Sequence, residues 1–207
     1  MITLLADSPL PTDLGTFHLF VFENAATTSQ EIALTYGPFR EHSPVLVRLH
    51  SACITSEIFG ANNCECREQL DEAKRRMVAH GSGIILYLAQ EGRGHGLAAK
   101  VKTLNQVVQG MDPQAAFADI GLPTDARDYA VAVEILKALG VNGQVELMTN
   151  NPGKVKALQD AGIAIARQTD LYIEPKNPAV RHALEAKRDK EGHLLPSAMD
   201  IRTSPRC

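Results

Sequence analysis

The chain has 207 residues, of which 44% are hydrophobic and 22% charged, a composition that supports one globular domain with a substantial core. Its formal net charge of -3 provides no excess of positive charge for wrapping nucleic acid, so we expect no DNA or RNA partner. No apolar run approaches the ~18 residues of a membrane-spanning helix, and the N-terminal residues lack the basic and apolar segments of a leader. We therefore expect a cytoplasmic protein with no membrane partner.

The first third of the chain predicts β-strands. Three apolar stretches, "FHLFVF" (residues 17–22), "EIALTYG" (31–37) and "VLVRLH" (45–50), are separated by polar or Pro- and Gly-containing connections. The first two stretches flank the loop "ENAATTSQ", so we expect them to form an antiparallel pair.

Helices and strands alternate through the middle of the chain. Helical spacing in "REQLDEAKRRMVAHG" ends at Gly81, and "GIILYL" is a near-continuous apolar run of the kind found in buried strands. The helical "LAAKVKTLNQVVQG" and "DYAVAVEILKALG", the strand "QVELMTN" and the helical "NPGKVKALQDAG" follow. This alternation predicts an α/β (α+β) class, with a mixed sheet, helices packed on it and antiparallel strands at its N-terminal side.

Residues 1–195 are expected to form a single domain. From about Pro175 the chain is charged and contains prolines, with one short helical pattern, "PAVRHALEAKRDKEG". Residues 196–207 are expected to be a flexible C-terminal tail, in which Cys207 is a bystander.

Three of the four cysteines lie in "CITSEIFGANNCEC", where Cys53, Cys64 and Cys66 have the spacing C-x10-C-x-C. Cytosolic thiols stay reduced, so this cluster favours a metal site or catalysis over a disulfide. Zinc with three protein ligands keeps a fourth position for water, whose pKa falls to roughly 7 and which then supplies a nucleophile. Two other interpretations remain open, namely a closed structural site completed by His50 and a set of unrelated buried thiols.

Two strand-to-helix turns are suited to phosphate binding. In "QEGRGHGLAAK", Gly92 and the two glycines after it let the backbone approach a ligand, and Arg93 offers a forked donor to oxyanions. In "MTNNPGKVKAL", Thr149 follows an apolar strand, at the edge where open α/β sheets bind ligands. Lys154 lies in the first turn of the next helix, where a cation opposes the helix dipole. Both turns could equally be connectors whose charged side chains are solvated.

Asp125 in "PTDARDYA" precedes a helix and is either an N-cap or a carboxylate of an active site. A zinc-activated water, two turns suited to phosphate and a carboxylate together indicate hydrolysis of a nucleotide or a sugar phosphate.

Five blocks, "RLHSAC", "CECREQL", "QEGRGHGL", "DARDY" and "LMTNNPGKV", resemble in order and separation the signature blocks of the GTP cyclohydrolase II family. The resemblance covers roughly residues 10–195. It implies an enzyme that opens the imidazole ring of GTP and releases formate and pyrophosphate, in the first committed step of riboflavin synthesis. It also implies a homodimer that requires Zn²⁺ and Mg²⁺.

The resemblance implies a role for each matching residue. Zinc would be held by Cys53, Cys64 and Cys66, and its water would attack C8 of guanine and then the formyl carbon. Asp125 matches the proposed general base. Arg127 matches the residue proposed to attack the α-phosphate, although a protonated guanidinium is better suited to stabilising charge. The residues implied to bind GTP and its Mg²⁺ are Arg48, His50, Ser51, Gln69, Glu91, Gly92, Arg93, Thr149 and Lys154.

Four residues depart from the family pattern. Ala52 replaces the glutamate of the usual "HSEC", and Leu104 stands where a tyrosine associated with formate release is common. Pro113 stands where a threonine contacts the nucleotide. His95 replaces an aliphatic residue and is either a new proton carrier or a tolerated substitution.

These observations predict a zinc-dependent hydrolase that converts GTP to a ribosylaminopyrimidinone 5′-phosphate, with formate release impaired by the departures. One alternative is a variant that stops at the formylamino intermediate or acts on another nucleotide. Another is a zinc-stabilised nucleotide-binding module without turnover, against which the retained cysteines, Asp125, Arg127 and Lys154 argue.

Overall fold

The computed structural model describes residues 1–195, so the predicted tail at 196–207 and Cys207 lie outside the described residues. The strands are β1 (Ile2–Thr12), β2 (Gly15–Asn24), β3 (Ser29–Tyr36), β4 (Val45–Ser51), β5 (Gly83–Leu88), β6 (Val145–Met148) and β7 (Ile165–Thr169). The helices are α1 (Ile54–Glu57), α2 (Cys66–His80), α3 (Gly96–Val108), α4 (Pro113–Asp119), α5 (Ala130–Ala138), α6 (Pro152–Asp160) and α7 (Pro178–Glu191). Short 3-10 helices span Phe39–Glu41 and Glu91–Gly94.

The seven strands of the described chain form one mixed sheet in the order β1-β2-β3-β5-β4-β6-β7. The pairs β1–β2, β2–β3 and β3–β5 are antiparallel. The pairs β5–β4, β4–β6 and β6–β7 are parallel. The predicted antiparallel pair of β2 and β3 is confirmed, with Phe22 opposite Glu31. The predicted α/β class with a mixed sheet and N-terminal antiparallel strands is likewise confirmed.

Local sequence signals explain the ends of the main helices. The last turn of α2 is closed by Gly81, whose φ of +85° is a left-handed conformation that glycine adopts without strain. Helix α6 begins with a proline, and the side chain of Asn151 accepts a hydrogen bond from the Gly153 amide. Asn177 caps α7 in the same way, through the Val180 amide.

The parallel half of the sheet is covered by helices on both faces. Alternate residues of its strands point to opposite sides, and apolar side chains on each side pack against a helix layer. On one face Leu49, Leu86 and Leu147 pack in a core that includes Ile135 of α5 and Leu158 of α6. The opposite face packs against α2, and its core consists of Phe17, Leu46, Ala73, Met77, Ile85, Met148 and Leu171. The carboxyl ends of β4, β5 and β6 therefore emerge side by side at one edge.

Four of the strands and helices, β1, α1, α4 and β7, were not predicted. Strand β1 contains Pro9 and Pro11, and almost all of its side chains are exposed, so it has no apolar alternation to reveal it. Its pairing with β2 holds it in place. Across the described residues, no helix combines the length and apolar character needed to cross a membrane.

Candidate active site

The predicted site residues meet at the carboxyl ends of the parallel strands, where open α/β sheets bind ligands. Strand β4 carries Arg48, His50 and Ser51, while Glu91 follows β5 and Thr149 follows β6. Two cavities of about 190 Å³ and 100 Å³ open at this edge. The residues that line both cavities are Ser51, Cys66, Arg93, Arg127, Lys187 and Glu191.

Three cysteine thiols converge at the larger cavity. The Sγ atoms of Cys53 and Cys64 are 3.7 Å apart, and with that of Cys66 they all lie within 4.8 Å of one another. Tetrahedral zinc with Zn–S bonds of ~2.3 Å holds its sulfur ligands about 3.8 Å apart. The donor set and its spacing therefore fit a zinc ion, and the convergence of the thiols favours a metal site over unrelated buried thiols.

His50 lies outside the group of converging thiols and so does not complete a closed metal site. Its Nε2 lies 2.7 Å from Oε1 of Glu57, and the metal-binding group found in the described chain consists of the three cysteines. Three thiols leave one position of a tetrahedral ion for water or substrate, which is the arrangement of catalytic zinc sites.

Lys100 lies against the cysteines although sequence reasoning did not single it out. Its Nζ is 3.1 Å from Sγ of Cys53 and 2.8 Å from Oε1 of Glu91. Hydrogen bonds from Cys64 and Cys66, together with Lys100, hold the pKa of Cys53 well below its ordinary value, while the hydrogen bond to Cys53 raises the pKa of Cys66. The lowered pKa favours the thiolate of Cys53, the form that binds metal.

A buried hydrogen-bonded group fixes His50 beside the metal site. Oε2 of Glu57 accepts a 2.6 Å hydrogen bond from the Tyr87 hydroxyl, and Oε1 accepts from Nε2 of His50. Because a carboxylate only accepts, Nε2 carries the imidazole proton. Burial lowers the pKa of His50, whose side chain is 2% exposed, and this favours the neutral imidazole, in which the unpartnered Nδ1 is an acceptor.

Arg48 and Lys154 place two buried basic side chains at the smaller cavity. Arg48 donates to the Met148 carbonyl at 3.0 Å and to Oε1 of Gln69 at 2.7 Å. Lys154 donates to the Leu49 carbonyl at 2.7 Å. Burial lowers the pKa of Lys154 well below its ordinary value, and the nearby charge of Arg48 lowers it further. Such buried cations attract a polyanion, since an anionic ligand relieves their desolvation.

The glycine-rich turn is fixed against the loop that carries Asp125. Gly94 has a φ of +89°, and a Cβ there would lie 2.7 Å from the carbonyl carbon of Ala126. The Ala126 amide donates to the Arg93 carbonyl at 2.9 Å, so a backbone hydrogen bond joins the turn to this loop. Glu91 extends this anchoring, because its Oε2 accepts from the Ile54 amide at 2.6 Å beside Cys53.

Asp125 joins the two arginines of the site. Its carboxylate accepts from Nη2 of Arg93 at 3.0 Å and from Nε of Arg127 at 2.9 Å. Burial opposes ionisation of Asp125, but the Arg127 hydrogen bonds keep its pKa below the ordinary value. Burial also disfavours the charge on Arg127, yet its bonds to Asp125 raise the pKa of that guanidinium. Arg127 is therefore a fixed cation.

All of the predicted site residues except Asp125 line one or both of the two cavities. The residues that line one or both cavities are Arg48, His50, Ser51, Cys53, Cys64, Cys66, Gln69, Glu91, Gly92, Arg93, Arg127, Thr149 and Lys154. Asp125 lies behind them and reaches the site through its two arginines. Thr149 is 1% exposed, and its Oγ1 accepts from the Asn151 amide at 3.1 Å.

Three of the four departures from the family pattern lie in one place. Ala52, Leu104 and Pro113 line the larger cavity together with the cysteines. His95 lies outside that lining, where its Nε2 is 2.8 Å from the Pro123 carbonyl and its ring is 5.2 Å from that of Phe117. This placement favours the tolerated substitution over a proton carrier.

Several polar residues of the site were missed. Lys100 carried the same signal as Lys154, a cation near the start of a helix. Glu57 and Tyr87 carried none, because they meet His50 only in the folded chain. Neither did the α7 residues Lys187 and Glu191, which the sequence predicts as an ordinary charged helix.

The family model described as GTP cyclohydrolase II matches residues 4–170. A GTP cyclohydrolase-2 of Neisseria meningitidis serogroup C is 41% identical over 195 residues, which cover 94% of this chain and 98% of that protein. The GTP cyclohydrolase-2 of Hahella chejuensis is 40% identical over 199 residues, which cover 96% of this chain and 95% of that protein.

A longer relative matches as well. The riboflavin biosynthesis protein RibBA of Aquifex aeolicus is 38% identical over 196 residues, and the match covers 94% of this chain. This chain spans only 48% of that protein. With the family model matching most of the chain and relatives of equal length above 30% identity, the chain belongs to the GTP cyclohydrolase II family of hydrolases.

Proposed function

We propose that this chain is a zinc-dependent hydrolase that opens the imidazole ring of GTP and releases pyrophosphate and formate. The product would be a ribosylaminopyrimidinone 5′-phosphate that serves riboflavin biosynthesis. Family membership supports hydrolysis of GTP for that purpose. The observation that carries the finer proposal is the convergence of three metal-binding thiols and several buried cations on one pair of cavities.

In this proposal, zinc bound by Cys53, Cys64 and Cys66 supplies a water of lowered pKa as the nucleophile. Lys100 favours the ionised form of Cys53, which is buried, whereas Cys64 and Cys66 are partly exposed toward the cavity. His50, whose Nε2 is held by Glu57, offers Nδ1 as an acceptor to the substrate. Ser51 and Gln69 line the substrate cavities beside it.

The cations of the site would bind the triphosphate. Arg48, Arg93 and Lys154 neutralise its charge, and Mg²⁺ would arrive with the phosphates near Glu91. Arg127, a fixed cation, stabilises charge on the α-phosphate as pyrophosphate leaves, in preference to attacking it. Once the phosphates engage the arginines, Asp125 is freed to accept a proton.

The test is the purified protein with GTP, with pyrophosphate and formate assayed separately. The proposal predicts release of pyrophosphate that requires zinc. Cys66→Ser removes one thiol of the site and should abolish turnover, while Cys207→Ser, outside the predicted site, should not. GTP that is never consumed, in a protein that unfolds on chelation, would support the binding module instead.

A second candidate is a variant that stops at the formylamino intermediate. It is favoured by Ala52, Leu104 and Pro113, because all three line the cavity that holds the cysteines and none offers a side-chain hydrogen bond there. This variant would release pyrophosphate with substoichiometric formate. Leu104→Tyr should then raise the formate yield, whereas Val108→Tyr on the exposed face of α3 should leave it unchanged. Stoichiometric formate from the unaltered protein would refute the arrested reaction.

Substrate choice is a further proposal within the same site. Pro113 at the start of α4 lines the larger cavity, so a nucleotide other than GTP is a specific alternative. A panel of nucleoside triphosphates assayed with one protein preparation discriminates between them. We also propose that the protein is cytoplasmic and that it forms a homodimer. Sedimentation of the purified protein measures its oligomeric state.

A further inference from the structure

Helix α7 closes over both cavities. It lies beyond residues 4–170, the part of the chain that the family model matches. Ala183 and Ala186 line the larger cavity, Leu184 lines the smaller, and Lys187 and Glu191 line both. The two cavities, about 190 Å³ and 100 Å³, both open to solvent and adjoin each other through their shared lining residues. Movement of α7 would therefore enlarge both cavities, because its side chains form part of each lining.

The contacts that hold α7 are mainly polar. Its apolar anchor is a small cluster in which Val180 and Leu184 are buried, with Tyr172 and Leu195 partly buried against them. Elements with little apolar burial are the ones that open locally at low free energy. The polar anchors are Lys187 to Glu65 at 2.6 Å, Lys190 to Asp112, and the Leu194 amide to the Asn150 carbonyl at 2.9 Å.

Glu191 occupies the position expected of an anionic ligand. One carboxylate oxygen lies 3.1 Å from Nη2 of Arg93, and the other lies 3.7 Å from Nη2 of Arg127. The side chains of Glu191 and Arg93 are each 13% exposed, so the carboxylate replaces much of the water around these guanidinium groups. Glu191 also stands in the last turn of α7, where the helix dipole disfavours an acid. The arginines, and not the helix, account for its placement.

Ionisation agrees with this geometry. Burial favours protonation of Glu191, yet His193 and Arg93 hold the pKa of the carboxyl well below its ordinary value. The group that faces the arginines is therefore an anion at neutral pH.

We propose that Glu191 is an internal substitute for a substrate phosphate, which holds α7 closed on Arg93 and Arg127 until the phosphates of the substrate displace it. The inference rests on the proposed function only in taking a nucleotide triphosphate as the displacing ligand. It assigns to α7 the control of access to the site. The apparent affinity is then the intrinsic affinity multiplied by the fraction of molecules in which the helix is open.

The first test compares Glu191→Gln with the unaltered protein in GTP turnover. Loss of the competing charge should lower KM for GTP by about threefold to tenfold, as expected when a state closed in most molecules is opened. Glu185→Gln, a matched loss of charge on the same helix, should leave KM unchanged, and Glu191→Asp should give an intermediate value. An unchanged or higher KM in Glu191→Gln, with the unaltered protein active, would overturn the inference and leave the proposed function standing.

The second test does not depend on turnover. Hydrogen exchange at the amides of α7 is measured with and without saturating inorganic pyrophosphate. Displacement predicts faster exchange in α7 when pyrophosphate is present and faster exchange in Glu191→Gln without it. If pyrophosphate binds and the α7 amides become more protected or do not change, α7 is not displaced and the inference is wrong. Failure of the unaltered protein to consume GTP would count against the proposed function alone.

Discussion

Replacing Glu57 by Gln tests how the buried group around His50 is built. Glu57 has two acceptor oxygens, and each takes one donor, from His50 and from Tyr87. Glutamine keeps the shape but has one acceptor oxygen, and its amide donor then faces a second donor. One buried donor is left without a partner, because the side chains of His50 and Glu57 are 2% and 8% exposed.

An unsatisfied buried donor costs about 1–3 kcal/mol. For a chain of this length, each kcal/mol lowers Tm by about 2–4 °C, so Glu57→Gln should unfold about 2–12 °C below the parent. If the imidazole turns in response, the loss of one hydrogen bond to substrate lowers kcat/KM by about tenfold for each 1.4 kcal/mol. Calorimetry and GTP turnover measure the two effects.

A double-mutant cycle isolates the cause. Tyr87→Phe removes one of the competing donors, so the glutamine oxygen in the combined variant can serve His50 alone. We expect the double variant to be more stable than the sum of the single effects. Additive changes in the free energy of unfolding would show that His50 and Tyr87 do not compete for the glutamine oxygen. A Glu57→Gln protein with unchanged Tm and unchanged kcat/KM would show the same.

Two further predictions concern charge and packing. Because the pKa of Lys154 is lowered, its charge is lost as pH rises through that lowered pKa, and GTP affinity should fall over the same interval. Lys154→Arg keeps the charge and should flatten that dependence in a titration, and a parallel fall in both proteins would exclude Lys154 as its cause. Gly94→Ala drives a Cβ to 2.7 Å from the Ala126 carbonyl carbon and should lower kcat/KM by at least about 100-fold, since small misplacements of catalytic groups carry such penalties. Gly96→Ala, also at positive φ but with open space around its Cβ, separates backbone strain from this clash, and equal losses in both variants would show that strain alone is responsible.

Much of the fold could be predicted because its signals are local. The apolar run of β5, the helical spacing of α2 and the proline at the start of α6 each specify their element within a few residues. Strand β1 could not be predicted, because its exposed side chains carry no pattern and its pairing with β2 forms it. Helix α7 was predicted as a helix, but its position over the site depends on partners far along the chain.

The site divides in the same way. The cysteines and the glycine-rich turn were recognisable because metal ligands and phosphate-binding loops constrain spacing within one stretch. Residues that act through non-local contacts were missed: Lys100 touches Cys53, and Glu191 touches Arg93. The interpretation of His50 as a fourth zinc ligand failed because, within the described residues, the folded chain gathers only the three cysteines, a placement that the sequence spacing does not reveal.

The central claim is that a zinc ion on three cysteines drives hydrolysis of GTP in this chain. The most direct measurement is the zinc content of the purified protein, taken together with pyrophosphate release from GTP before and after the metal is removed and restored. We expect one zinc per chain, loss of GTP turnover when the zinc is removed, and recovery of turnover when zinc is added back. Cys66→Ser should have neither bound zinc nor turnover. Full turnover by protein without metal, or by Cys66→Ser, would contradict it.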